Sequence, residues 1–166
     1  MEKQNYLLRL SLNSKGFTLA ELVVTLSILG IAAAITFPVL QTSLARYTLY
    51  ATARQMAAEI RALQQEALTS GKLTYQITFD TANNLYYLRL NTQTLKTVPV
   101  PPSISMETKF PQPPPKETTM EFNIKGVPTA GTIILREQTT GSFYYVIVAA
   151  VTGRVRIADT PPDKWF

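Results

Sequence analysis

The sequence predicts an α+β protein in which one long N-terminal helix packs on one or two antiparallel β-sheets. Three observations lead to this fold class. Residues 17–39 form an apolar stretch with a single charged residue. Apolar residues then recur with the 3.6-residue period of a helix to about residue 70, and beyond Gly71 the period changes to two, which is typical of strands. We therefore expect a helix with a transmembrane half and an amphipathic half, followed by a β-rich domain.

The composition limits the classes of function. A chain of 166 residues fits about one domain plus an extra segment. It contains no cysteine and no histidine, which excludes disulfides, cysteine nucleophiles, Ser-His-Asp triads and the usual zinc sites. The carboxylates show neither a catalytic pairing nor a calcium-binding spacing. We therefore expect no enzyme activity, no cofactor and no metal. The net charge of +5 falls to +3 without residues 1–16, so basicity alone is a weak argument for nucleic acid.

The first half of the predicted helix is suited to a lipid bilayer. Its 23 residues, FTLAELVVTLSILGIAAAITFPV, would span roughly 34 Å, against about 30 Å for the hydrocarbon core. Lys3, Arg9 and Lys15 precede it, which predicts a single-pass protein of the cytoplasmic (inner) membrane with its N-terminus inside and its C-terminal domain outside. Glu21 is the one charge in this stretch, and it would cost about 2.5–3.5 kcal/mol deep in lipid.

Three interpretations of this segment compete. It fits an uncleaved signal anchor of a membrane-anchored extracytoplasmic binding domain. It also fits a secretory signal peptide with a small-residue cleavage site at Ala32-Ala33-Ala34. Neither interpretation explains Glu21, because an intramembrane carboxylate usually has a functional reason. The third interpretation comes from the residues around it.

The stretch Lys15-Gly16-Phe17-Thr18-Leu19-Ala20-Glu21 resembles the processing site of type IV prepilins and type II secretion pseudopilins. The resemblance implies that a prepilin peptidase/N-methyltransferase cuts between Gly16 and Phe17 and methylates Phe17. It also implies that Glu21 meets the N-terminal amine of a neighbouring pilin, and a carboxylate and an ammonium do attract strongly in a medium of low dielectric constant. Pro38 falls where this family commonly carries a helix-kinking proline.

Beyond Pro38 an apolar stripe continues through Met56, Ile60, Leu63 and Ala67 at spacings of four, three and four. Gly71 is a plausible helix stop. The predicted organisation is a leader over 1–16, the transmembrane half of the helix over 17–39, its amphipathic half over 40–71, and a β-rich outer domain over 72–166. A separate helix after a break at Pro38 is the alternative for the amphipathic half.

Alternating patterns predict six to eight short strands in the outer domain. They include a hairpin around the turn Asp80-Thr81-Ala82-Asn83-Asn84, alternation at Met120 to Ile124, Ile133 to Leu135 and Val155 to Ile157, and an apolar run from Phe143 to Val148. Residues 97–118 contain seven prolines, which favour extended polyproline II and are excluded from central strands. We expect this segment to be a surface loop.

Over the outer domain the sequence is similar to minor pseudopilins of the GspH/FimT type. The similar features are Arg54, Arg61 and Ala67 in the helix, then the hairpin, the Met120-Glu121-Phe122 strand, the turn from Gly126 to Gly131, and Gly153-Arg154-Val155-Arg156. FimT-type pilins carry a GRxR element that binds DNA, so the resemblance implies weak DNA binding by Arg154 and Arg156. Alternation along a strand would place both on one face, within reach of successive phosphates. The alternative to DNA binding is that Gly153 simply forms a hairpin turn and that the two arginines are ordinary exposed strand residues.

The resemblance implies a pilin-like fold and the function of a minor pilin or pseudopilin. Its partners would be the prepilin peptidase, other pilins through the N-terminal helix, membrane lipid and, in one alternative, DNA. A type II secretion pseudopilus and a type IV pilus share the N-terminal machinery, so both assemblies remain open. A FimT-like subunit for DNA uptake and an uncleaved anchored domain are the alternative functions.

Overall fold

One long helix opens the fold. The computed structural model describes residues 16–71, 75–111, 118–123, 125–149 and 151–163. Helix α1 runs over Leu19–Ser70 with Pro38 inside it, so the alternative of a break at Pro38 is wrong. It ends at Gly71, which adopts a φ of 63° and donates its N–H to the carbonyl of Ala67 at 3.2 Å. A glycine in this left-handed conformation is the expected helix stop.

The chain divides into two compact units, Met1–Val39 and Leu40–Phe166. In the first unit, the part of α1 before residue 40 exposes its apolar side chains. By length and composition this helix is able to cross a membrane, as an N-terminal signal sequence also would be. Hydroxyl groups in this stretch donate to backbone carbonyls within the helix, as Ser27 does to Val23 at 2.7 Å and Thr36 to Ala32 at 2.8 Å. Such bonds give these hydroxyls a partner within the helix itself.

The second unit contains the rest of α1 and eight strands in the described residues. They are β1 (Tyr75–Asp80), β2 (Leu85–Leu90), β3 (Gln93–Pro99), β4 (Ile104–Lys109), β5 (Thr119–Glu121), β6 (Gly131–Glu137), β7 (Phe143–Val148) and β8 (Val155–Ala158). They form two four-stranded sheets with the orders β3-β2-β1-β5 and β4-β6-β7-β8. Every pairing is antiparallel.

The hydrophobic core lies between the second half of α1 and one face of each sheet. The helix contributes a buried stripe of Leu49, Ala53, Met56, Ala57, Ile60, Leu63 and Ala67. The sheets contribute alternate residues such as Ile77, Phe79, Ile133, Leu135 and Val146. The predicted fold class, a long helix packed on antiparallel sheets, is therefore confirmed.

The expectation of a loop over residues 97–118 is wrong in part. Strand β3 extends to Pro99, and β4 occupies 104–109, where no proline occurs. Both are edge strands. The outer side of an edge strand has no partner strand, so a proline there breaks no hydrogen bond between strands. Ile104 and Met106 are buried, and the side-chain amide of Asn84 donates to the carbonyl of Ile104 at 2.7 Å. Residues 112–117, with the densest run of prolines, lie outside the described residues.

Candidate functional site: the N-terminal motif and the Gly153–Arg156 segment

The predicted cleavage site lies just before α1. Gly16, Phe17 and Thr18 are not helical, and the helix begins at Leu19. Gly16 is exposed, and the side chain of Phe17 is 79% exposed. The bond between Gly16 and Phe17 is therefore in a non-helical, exposed segment, as a peptidase substrate requires.

Glu21 forms a capping box with Thr18. The hydroxyl of Thr18 accepts the backbone N–H of Glu21 at 3.2 Å. In return, Glu21 Oε2 accepts the backbone N–H of Thr18 at 3.0 Å and its hydroxyl at 2.9 Å. This reciprocal pattern satisfies N–H groups that have no partner at the start of a helix. The carboxylate also lies in the first turn, where the helix dipole favours a negative charge. A local role for Glu21 therefore exists beside the predicted role in assembly.

Pro38 lies inside α1 without ending it. Because proline has no N–H, the carbonyl of Ala34 loses the hydrogen bond it would receive in a regular helix. Pro38 is also next to Val39, the last residue of the first compact unit. The proline thus weakens the helix beside the boundary between the two units.

The turn before β8 requires a glycine at position 153. Gly153 has a φ of 62°, and its N–H donates to the carbonyl of Ala149 at 3.0 Å. A Cβ atom at this position would lie 2.8 Å from Nε2 of Gln64 and 2.8 Å from Cδ of Pro128. Both the conformation and the close packing therefore favour glycine.

Two side chains of α1 hold this segment. Gln64 Nε2 donates to the carbonyl of Gly153 at 2.6 Å, and the Arg61 guanidinium donates to the carbonyl of Val155 at 2.8 Å. These bonds fix the backbone on either side of Arg154. The two arginines of the GRxR element are therefore presented from a backbone that the helix holds in place.

Arg154 and Arg156 are both exposed, and Val155 between them is buried. Both arginines therefore project from the face of the second sheet that points away from the core, as alternation predicts. The strand register places Arg156, Ile147, Thr132 and Lys109 in one row across that face. Among the described residues, neither Arg154 nor Arg156 forms an ion pair. Lys109 therefore lies on the same face as Arg156 but three strands away, about 14 Å, with the fully buried Thr132 between them.

Three comparisons with known proteins bear on this geometry. Residues 11–37 match the family model of the prokaryotic N-terminal methylation motif. No curated protein matches the chain. The chain thus has the N-methylation motif of a type IV pilin-like prepilin, as the sequence predicted.

Two solved structures share the fold. One is the minor pseudopilin EpsH from the type 2 secretion system of Vibrio cholerae, with a TM-score of 0.55, 14% identity, and coverage of 66% of this chain and 95% of that one. The other is the type IV minor pilin FimU of Pseudomonas aeruginosa, with a TM-score of 0.56, 12% identity, and coverage of 73% and 97%. The fold is therefore pilin-like.

Sequence reasoning missed several residues that define these sites. The capping role of Thr18 could have been predicted, because a Thr followed three residues later by Glu before an apolar run is the signature of a capping box. The anchoring contacts of Gln64 and Arg61 join residues 89 and 94 positions apart. No local pattern contains such contacts, and the same holds for the placement of Lys109 and Arg156 on one face of the second sheet.

Proposed function

We propose that this chain is a minor pilin or pseudopilin subunit. It is made as a membrane-inserted precursor, cut between Gly16 and Phe17, methylated on Phe17, and assembled through its N-terminal helix. The assembly is a type II secretion pseudopilus or a type IV pilus. The methylation motif implies a prepilin peptidase as one partner, and the pseudopilin-like fold implies other pilins.

The observation that supports this proposal most is the position of the scissile bond. It immediately precedes a helix whose first half exposes only apolar and small or hydroxylated side chains beyond Glu21. Cutting there removes the cationic leader and leaves an N-terminal amine at the start of the apolar helix. Lipid covers such a helix in the membrane, and neighbouring helices cover it in a filament.

The new amine gives Glu21 a second partner. In the precursor, the carboxylate is bonded to Thr18. In a filament, the ammonium group of a neighbouring subunit would approach the same carboxylate in a dry, apolar bundle, where an ion pair is far stronger than in water. Both roles predict that Glu21 matters for the subunit. They differ in whether its charge is needed.

Three variants separate the two roles of Glu21. Glu21→Gln keeps a side chain that can complete a capping box and removes the charge. Thr18→Ala removes the hydroxyl half of the capping box and keeps the charge, and Glu21→Ala removes the charge together with the carboxylate half of the box. We expect all three to be processed and inserted, and we expect only Thr18→Ala to appear in sheared filaments at near wild-type abundance. Normal incorporation of Glu21→Gln would show that assembly does not need the charge and would refute this mechanism.

DNA binding is a second candidate function, and the cationic face of the second sheet favours it. Arg154, just before β8, and Arg156, within it, are two residues apart, at most about 6.6–6.8 Å along an extended chain, which suits contacts with neighbouring phosphates. Lys109 and Arg136 lie on the same face at other strands, and the exposed Glu107 lies there as well, so the cations form scattered contacts and not a continuous row. A footprint of this size supports weak, sequence-independent binding.

A gel shift with the unit 40–166 tests DNA binding, since all buried core residues of the described chain lie within it. We expect binding that weakens with salt, and we expect the double variant Arg154→Ala/Arg156→Ala to lower the slope of log K against log[salt] by about 2. Lys125→Ala is the matched control, because Lys125 is an exposed cation outside this face. Equal binding by the double variant and the control would exclude this function.

The alternative of an uncleaved anchored domain makes a different prediction about the N-terminus. The isolated protein would then begin at Met1, and a cleaved secretory protein would begin at Ile35. The proposed processing gives Phe17.

A further inference from the structure

Two aromatic rings lie on the outward face of the second sheet. Along β7, Val146 is buried in the core, and Tyr144 packs against Tyr50 of α1 with ring centres 5.5 Å apart. Phe143 and Tyr145 alternate with Tyr144 and Val146 and therefore point the other way, away from the core. The rings of Phe143 and Tyr145 are 6.3 Å apart between centres and nearly parallel, at 15°. They form a platform that reaches the surface, because Phe143 is 38% exposed and Tyr145 is only half-buried.

An arginine stands at each end of this pair of rings. Arg136 on β6 is the strand partner of Phe143, and its guanidinium carbon lies 5.5 Å from the centre of the Phe143 ring. At the other end, Tyr145 pairs with Ala158, and Arg156 comes two residues before Ala158 on β8, on the diagonal from Tyr145. Direct neighbours on one face of a sheet are about 5 Å apart, and diagonal neighbours about 7–8 Å. We call Arg136, Phe143, Tyr145 and Arg156 the aromatic path.

The charge on this face suits a polyanion. Besides the two arginines of the aromatic path, the described residues of the face include two further cations, Lys109 and Arg154, and one carboxylate, Glu107. A cavity of about 310 Å³ at the start of β7 adds one exposed carboxylate and one exposed guanidinium, Asp159 and Arg46, whose charges offset each other. The face therefore carries an excess of positive charge, and the two cations nearest the rings are those of the path.

We propose that the aromatic path binds single-stranded DNA, with bases stacked on Phe143 and Tyr145 and phosphates held by Arg136 and Arg156. The inference rests on the second candidate function, DNA binding, because it states which form of DNA the same face takes. Every base has a π-face, so stacking on an aromatic ring needs no particular base sequence. Arginines at both ends of the rings can hold the backbone while the bases between them stack.

A duplex makes poorer use of this surface. Its base faces are already stacked inside the double helix, so the two rings would meet only the sugar-phosphate backbone. The arginines would still contact phosphates, but the rings would add little affinity. A single strand can turn unstacked bases onto the rings and keep the same phosphate contacts. The aromatic path therefore favours a single strand over a duplex of the same length.

Fluorescence anisotropy with the unit 40–166 tests this proposal. The labelled probes are an oligothymidylate of about 12 nucleotides, an abasic strand with the same number of phosphates, and a duplex of the same length. Phe143→Leu and Tyr145→Leu each remove a ring and keep an apolar side chain, and Phe143→Tyr keeps a ring. Tyr87→Leu is the matched control, because Tyr87 is half-buried on the outward face of the first sheet, with the Arg89 guanidinium 5.1 Å from its ring centre. The urea midpoint of each variant checks that it is folded.

We expect the oligothymidylate to bind at least about fivefold more tightly than the abasic strand, and more tightly than the duplex. Each ring-to-leucine variant should lose at least about fivefold in affinity for the oligothymidylate without a change in salt dependence. Arg136→Ala should instead lower the slope of log K against log[salt] by about 0.7, the value for one phosphate contact with a single strand. Tyr87→Leu and Phe143→Tyr should bind as the wild type does.

The outcomes separate this inference from the candidate function on which it rests. Equal affinity for the oligothymidylate and the abasic strand would refute stacking without any variant, and so would ring-to-leucine variants that bind as tightly as Tyr87→Leu. Tighter binding of the duplex than of the oligothymidylate would refute this inference and leave DNA binding in place. Failure of all three probes to bind would refute both.

Discussion

Replacing Gly153 with alanine tests how the helix holds the Gly153–Arg156 segment. Gly153 has a φ of 62°, a conformation that costs an L-residue roughly 1–2 kcal/mol. The new Cβ would also lie 2.8 Å from Gln64 Nε2 and 2.8 Å from Pro128 Cδ. Gln64 can move only by giving up its 2.6 Å bond to the Gly153 carbonyl, and the ring of Pro128 is rigid. Overpacking of this kind adds roughly 1–3 kcal/mol. The total is then about 2–5 kcal/mol.

Gly141→Ala is the matched control for this prediction. Gly141 has nearly the same φ, 67°, and no atom lies within 4 Å of the position its Cβ would occupy. Gly141→Ala should therefore lower the free energy of unfolding only by the cost of the left-handed conformation, about 1–2 kcal/mol. Urea unfolding of the unit 40–166 measures both free energies. If Gly153→Ala is no more destabilising than Gly141→Ala, the close packing of Gly153 against Gln64 and Pro128 is not present in solution.

Three further predictions concern the same unit. Burial raises the pKa of Glu137, but hydrogen bonds from Thr140 and Thr139 outweigh it and hold the pKa at about 2. The stability from Glu137 should therefore be fully present above its unfolded pKa of about 4.5 and be lost as pH falls toward 2; urea midpoints measured across this range should fall less in Glu137→Gln. Arg61→Met should cost about 1–3 kcal/mol in the same assay, because it leaves the Val155 carbonyl without its donor; an unchanged midpoint would contradict the anchoring role. Ile133→Ala, at a fully buried position, should cost about 2–5 kcal/mol, and a cost below 1 kcal/mol would contradict the packing of the core.

Local patterns in the sequence were sufficient for the order of the elements. The end of the helix at Gly71 could be predicted because that prediction needs only a glycine and its position after the apolar stripe. The alternation of Tyr75, Ile77 and Phe79 identified β1 for the same reason. The alternation of Ile104 and Met106 was also present, but the prolines on either side of it suggested a loop. Prolines exclude a central strand and permit an edge strand, and edge position depends on the whole sheet.

The candidate sites were predictable only as far as their residues are local. Gly16, Phe17 and Glu21 belong to one short motif within residues 11–37, the segment that matches the methylation motif, and the roles of these three residues stay predictions. The position of Lys109 relative to Arg156 depends on three strand pairings.

The most direct test of the proposed function is the N-terminal residue of the protein recovered from cells. Mass spectrometry of the N-terminal peptide should show a chain that begins at Phe17 and carries one added methyl group on its amine. Protein that begins at Met1, with residues 1–16 intact in a strain with an active prepilin peptidase, would contradict the account, as would protein that begins at Ile35.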